Sequence, residues 1–279
     1  MTETLRKHED LAGLPRLVRL EIADARRALD GPDPRRAVHE ARKAIKRARA
    51  IARLLRAHDR ETAGLMNAAA RRAGHVLAEA RDADSLEELA RALAGETDDD
   101  AARAALSEIA GRAKADGARI DRQVAAEQAG RALDAMDRAL AGLPPLHDPE
   151  PAVARDVART WRRAVKRLDE ARTAPDGPHL HELRKRAQDW RYQATALKHV
   201  WPGDVKRRKA KTDALVEVLG LHHDLTRLAR RLDSLAEAAA ARDLVEARCD
   251  TLAADALQRA EAIFGRKPKK TEKALKAGF

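Results

Sequence analysis

Aromatic residues make up only 2% of this 279-residue chain, although hydrophobic residues make up 44%. The core therefore has to be built from Ala, Leu and Val, which suits helices that approach closely and suits a sheet poorly. The same shortage removes the stacking platforms used by proteins that bind single-stranded nucleic acid. Strand-like alternation of apolar and polar residues is missing throughout. A single cysteine, Cys249, excludes an intramolecular disulfide and fits a reducing compartment. There is no run of about 18 apolar residues, and the opening MTETLRKHEDLAGL has no apolar h-region. These absences predict a soluble, cytoplasmic protein without membrane insertion.

Positive charge is what the chain has in excess. A formal charge of +11 and a pI near 10.1 point to a negative partner: nucleic acid, an anionic membrane surface or another polyanion. The excess is sharpest in AVHEARKAIKRARAIARLLR, from Ala37 to Arg56. At 100° per residue, His39, Arg42, Lys43, Lys46, Arg49 and Arg53 fall within roughly 120° on one side of a helix. Val38, Ala41, Ala44, Ile45, Ala48, Ala52 and Leu55 gather on the opposite side. A solvated helix face usually mixes signs, so that residues three and four apart can pair. From Pro34 to Arg60, however, ten Lys or Arg stand against two acids, Glu40 and Asp59. A ladder of this kind needs an anion.

The ladder is repeated. HLHELRKRAQDWRYQATALKHV, from His179, aligns with it at a fixed offset of 142 residues, placing His39, Glu40, Arg42, Lys43, Arg49 and Leu55 on His181, Glu182, Arg184, Lys185, Arg191 and Leu197. The register persists where Val76, Leu77, Asp82, Leu86, Leu93 and Ala94 meet Val218, Leu219, Asp224, Leu228, Leu235 and Ala236. The chain thus reads as a tandem duplication of a unit of about 140 residues. Each copy carries a His-Arg-Lys helix followed 43 residues later by an Asp, Asp82 or Asp224.

Helices are predicted over 14–29, from Pro34 to near Asp59, and over 62–93, 98–140, 153–174, 178–200, 205–240 and 242–264. Asp33-Pro34 is a strong helix start, because Asp caps free amides and Pro suits the first helical position; PDGP before the second basic helix echoes it. The prolines of LPPLHDPEP mark a linker at 144–152 between an all-α half at 10–143 and a second at 153–264. The expected architecture is two up-and-down four-helix bundles around a pseudo-twofold axis, with a basic groove or pore between the facing ladders. Residues 265–279 read as a basic, flexible tail. The fifth helix widens the cationic surface through Arg159, Arg162, Arg163 and Lys166.

Two motifs carry competing readings. His222-His223-Asp224 suggests a metal site near His179 and His181, but adjacent histidines point about 100° apart on a helix. The first copy has Ala80 and Arg81 in their place. Replacement of His223 by Arg81 makes better sense if both donate to anions. Asp82 and Asp224 then either orient donors or serve as ordinary salt-bridge partners. Trp190 lies with Leu183 and Leu197 in the core stripe, and Tyr192 falls near His181 on the cationic side.

The paired His-x-x-Arg-Lys helices, with Arg81-Asp82 and His223-Asp224 following at the same distance, resemble the CHAD family, the conserved histidine α-helical domain, over roughly residues 10–264. LHELRK at 180–185, ending in Trp190-Arg191-Tyr192, and LGLHHDL at 219–225 carry the resemblance. It implies a stand-alone module that binds inorganic polyphosphate in a basic central cavity, without catalysis, cofactor or metal, and that is associated with polyphosphate granules. By the same resemblance His39, Arg42, Lys46 and Arg49, with His181, Arg184, Lys185 and Arg191, are expected to bind. Gln188 and Asp189 stand where relatives often have basic residues, and the Glu-x-Glu-x-Lys of the triphosphatase domain joined to many relatives does not occur. Nucleic-acid binding by a basic surface and histidine phosphotransfer on a helical bundle are the alternative readings.

Overall fold

The computed structural model describes residues 4, 5, 10–200 and 204–265, leaving aside the side chains of 204–208; of the tail expected at 265–279, all but Gly265 lies outside the described residues. Among the described residues there are ten α-helices and no strand. These are α1 (Leu14–Leu29), α2 (Pro34–Ala52), α3 (Arg60–Val76), α4 (Ala78–Glu96), α5 (Asp100–Arg119), α6 (Arg122–Ala141), α7 (Glu150–Thr173), α8 (Gly177–Ala196), α9 (Asp204–Leu232) and α10 (Ala239–Phe264).

The basic helices begin as their caps dictate. Asp33 accepts hydrogen bonds from the amides of Arg35 and Arg36 at 2.9 and 3.2 Å ahead of α2, and Asp176 accepts from the His179 amide at 2.9 Å ahead of α8. The apolar stripe read from the sequence, Val38, Ala41, Ala44, Ile45, Ala48, Ala52 and Leu55, is buried throughout. Its small side chains let α1 lie close, with Ala25 and Ile22 also in the core. Arg47 lies on this buried side, where it pairs with fully buried Glu21 at 2.6 Å. Part of the cation excess on α2 is therefore structural.

Four expected helices are divided or shortened, one of them the helix expected over 205–240, which ends at Leu232. The basic helix stops at Ala52 and passes into a 3₁₀ turn at Arg53–Leu55, because Asp59 starts the next helix by accepting from the Glu61 and Thr62 amides. The helix expected over 62–93 breaks at Leu77, whose φ of −89° and ψ of 0° leave the helical well while its side chain stays buried. The helix expected over 98–140 breaks at the extended Ile120, and Asp121 then caps α6 through the Val124 amide at 3.0 Å. Six helices precede the proline-rich linker and four follow it, in place of four and four.

The apolar interior has two clusters, and neither follows the division at the linker. One joins α1, α2, α3, α6, α7 and α8 to the start of α9 and the end of α10; at its centre Trp161 meets Trp190 at 4.8 Å and Phe264 at 5.0 Å between ring centroids. The other joins α4 and α5 to the C-terminal part of α9 and the N-terminal part of α10. The chain start is anchored too, since buried Leu5 donates its amide to the Ala196 carbonyl at 3.0 Å.

Buried carboxylates tie α4 to the basic helix. Asp84, 2% exposed, accepts two hydrogen bonds from the Arg122 guanidinium at 2.9 and 2.7 Å and lies 3.4 Å from Arg35 Nε, while Glu87 accepts from Arg35 Nη2 at 2.7 Å. Replacing Asp84 by Ala strands the Arg122 charge, and a loss of about 3 kcal/mol is expected. Urea denaturation checks this, and an unchanged midpoint would show that the carboxylate does not hold α4 in place.

Candidate anion-binding cleft

Lys46 is the centre of the cationic cluster. Burial and, after it, the charges of Arg42, Arg184, Arg191 and Arg81 pull its ammonium from the ordinary 10.5 down to about 8. Arg184 and Arg191 belong to α8, so both basic helices contribute charge to one region. The approach of α2 and α8 is fixed by Gln193, which is fully buried and donates to the Ala50 carbonyl at 3.0 Å. That carbonyl lies in the last turn of α2.

Arg42 is held in a similar way: its Nη1 donates to the carbonyl of Gly74 in the last turn of α3. Arg49 Nε donates to Asn67 Oδ1 at 2.9 Å, and burial followed by the Arg53 charge draws its guanidinium down to about 10. Arg42, Lys46 and Arg49 make no ion pair within 4 Å among the described residues, although the charges of Asp82 and Asp189 act on Arg42 and Arg49. With Ile45, Arg71, Arg72, Gly74 and His75, among others, they line a cavity of about 660 Å³ that contains no acid.

A second cavity, of about 340 Å³, shares Arg49 and Arg71 with the first and continues past Arg53, Arg56, Arg159, Arg163 and Arg186. It contains two acids. Asp189 pairs with Arg53 and, at 2.8 Å, with Arg186; buried Asp156 accepts from the Ala57 amide at 2.6 Å. Asp189 thus clasps two arginines from different helices.

At the opposite end the repeated motifs meet. The imidazoles of His181 and His223 stack with ring centroids 4.1 Å apart. Burial, then Lys185 and Arg184, lower His181 to about 4; burial, then His181, Arg184 and Arg227, lower His223 to about 3. His181 Nδ1 and Arg184 Nε are buried without a hydrogen-bond partner. The Arg184 guanidinium lies over α9 at Gly220, where a Cβ would stand 3.4 Å from its Nη2. At the head of α8, Gly177 lets α9 approach, since a Cβ there would be 2.8 Å from Thr226 Cγ2. Asp224 offsets part of the Arg184 shift and Asp82 part of the Arg42 shift; burial raises the Asp224 carboxyl, and Arg227 Nη2 lies 3.2 Å from Asp82 Oδ2.

The remaining candidates are spread more widely. Arg191 Nη2 donates to the Tyr192 hydroxyl at 2.9 Å and its guanidinium lies over the same ring, 4.7 Å from the centroid, so buried Tyr192 shapes the arginine. Arg81 lies 3.5 Å from Glu88. His39 is exposed beside Glu40, and Lys43 reaches the same Glu40 at 3.6 Å. Lys185 donates to Glu182 at 2.6 Å, and exposed Lys166 is 3.9 Å from Glu170. Arg162 is exposed on α7, whereas Arg159 and Arg163 line the second cavity. His222 and His223 face different surroundings, the former sensing Asp250 and the latter His181, and among the described residues no three His, Cys, Asp or Glu side chains group as metal ligands.

The sequence reading missed Asn67, Arg71, Arg186 and Arg227. Asn67 and Arg71 were legible only as an i, i+4 pair on a helix with no ladder of its own.

These features define an all-helical protein with a cation-lined cavity between α2 and α3. The CHAD domain family model matches residues 16–233, and the chain belongs to that family. The crystal structure of the CHAD domain from the plant Ricinus communis is similar in fold, with a TM-score of 0.61 and 19% sequence identity, over 99% of this chain and 95% of that one. A search of curated proteins found no match. No described helix is long and apolar enough to cross a membrane.

The stacked histidines set a pH dependence. Both are lowered in the folded state, so their contribution is complete above about 6.5 and is lost as pH falls toward 4, where the unfolded chain takes up protons first. Between pH 7 and pH 5, the denaturation midpoint of His181→Gln/His223→Gln is expected to fall less than that of wild type. Equal falls would show that the pair titrates normally.

Proposed function

We propose that this chain binds inorganic polyphosphate, without a chemical step, in the cation-lined cavity between α2 and α3, to which α8 adds the charges of Arg184 and Arg191. The observation that carries the reading is the acid-free run Arg42, Lys46 and Arg49, crowded by Arg184 and Arg191 until Lys46 falls to about 8. Like charges held this close are relieved by an anion with high charge density. Guanidinium groups grip two phosphate oxygens at once, ammonium adds a point charge, and imidazole donates through one nitrogen. The resemblance to CHAD proteins implies the same ligand.

Further support comes from the repetition. At the 142-residue offset α2 falls on α8, α1 on α7, and the α3–α4 pair on α9. Arg42 with Asp82 then corresponds to Arg184 with Asp224, and both arginines are compensated by the aspartate of their own copy. In this reading the two aspartates hold the innermost arginines, and the ligand follows the rest. Nucleic acid fits less well: the aromatic residue beside the cleft, Tyr192, is buried and already engaged by Arg191, so it offers no stacking face.

Lys46→Met tests the reading, because it separates binding from stability. Removing the crowded charge is expected to raise the unliganded protein's stability by about 1–2 kcal/mol. It should also weaken long-chain polyphosphate binding roughly tenfold, measured by calorimetry. Wild-type binding should weaken with salt, with a slope near −4 in log K against log salt for about six neutralising cations. Duplex DNA at equal phosphate concentration should compete poorly. An unchanged affinity in Lys46→Met, or full displacement by DNA, would favour a non-specific basic surface.

A further inference from the structure

Most arginines of this protein are paired. Arg26, Arg35, Arg47, Arg53, Arg122 and Arg186 all face carboxylates within 3.8 Å. Arg71 and Arg72 on α3 and Arg131 on α6 differ. Among the described residues they make no ion pair and no hydrogen bond, and all three are exposed.

Arg36, Arg60 and Arg138, among others, are unpaired in the same way among the described residues, so it is position that sets these three apart. Arg71 and Arg72 line the acid-free cavity beside α2. Arg72 and His75 also line a neighbouring cavity of about 350 Å³, completed by Val76, Gln128, Arg131, Ala132 and Ala135, which again holds no acid. The two cavities share Arg72 and His75, so the concave surface runs unbroken from Lys46 over α3 to Arg131. Beyond this one neighbouring cleft presents Glu79, Asp82, Asp116 and Asp121 and another, past Arg131, presents Asp30, Glu127 and Asp134, so the acid-free surface ends at Arg131. The α2 part alone, from Arg42 to Arg53, is about 16 Å long at 1.5 Å per residue. A longer polyanion has to leave it somewhere.

We propose that Arg72 and Arg131 form an outer subsite for a linear polyanion that has filled the cavity between α2 and α3. The subsite directs the emerging phosphate chain across α3 onto α6 and away from the acidic cleft beside α5. This rests on the polyphosphate reading above. At the 142-residue offset Arg72 falls on Ala214, so the subsite is not repeated in the second copy. It gives the bound chain a preferred exit and makes affinity depend on ligand length.

The test compares two ligands and two double variants. Arg72→Gln/Arg131→Gln removes the subsite; Arg103→Gln/Arg112→Gln on α5 removes the same net charge elsewhere. Long-chain polyphosphate and tripolyphosphate are titrated into each by calorimetry, and circular dichroism verifies helix content. For the subsite variant, long-chain affinity is expected to fall roughly tenfold and the salt slope to shrink by about 1.4, at about 0.7 per lost contact. Tripolyphosphate affinity should stay within about twofold. The α5 variant should match wild type for both ligands. Unchanged long-chain affinity, equal losses for both ligands, or equal losses in both variants would overturn the subsite while leaving the cleft intact. If wild type binds neither ligand, the polyphosphate reading fails and the subsite fails with it.

Discussion

Mutual repulsion among Arg42, Lys46, Arg184 and Arg191 is the constraint around which this molecule is built. Side chains of one sign cannot be brought together under partial burial unless something else holds their helices. Here the holding is apolar and local. Alanine-rich stripes let α2 lie against α1, and Asp33 and Asp176 cap the two basic helices. Gln193 then joins α8 to the end of α2 through a main-chain carbonyl, and that bond places no negative charge in the cleft.

Acids are distributed so as to secure the periphery and spare the centre. Glu21, Asp84 and Glu87 take up Arg47, Arg35 and Arg122, which face away from the cleft and bind neighbouring helices. Asp189 clasps Arg53 and Arg186 at one end, while Asp82 and Asp224 temper Arg42 and Arg184 at the other. Between these ends Lys46 has only uncharged or cationic neighbours in its cavity. A local count of ten cations against two acids therefore overstates the cluster, since Arg35 and Arg47 belong to the scaffold.

The sequence was most informative where one helix decides the outcome. Periodicity identified the buried stripe of α2 residue by residue, and the Asp-Pro signal placed its start at Pro34. It was less informative at the breaks in the third and fourth predicted helices. Leu77 stays apolar and in register while the backbone leaves the helix, and neither joint contains proline. Asp189 read as a flaw in the second ladder because its partner Arg53 lies 136 residues away. Arg71, Arg72 and Arg131 were invisible as a group, because adjacency across α3 and α6 is a property of packing and not of spacing.

The charge state of the Lys46 ammonium reports directly on the crowding of the cationic cluster, and an NMR titration of that side chain measures it. In the unliganded protein its midpoint should lie near 8, and saturation with long-chain polyphosphate should raise it by at least about 2 units as phosphate oxygens replace cationic neighbours as the dominant charge. A midpoint near 10.5 in the free protein, unmoved by the ligand, would contradict the crowding on which the account depends.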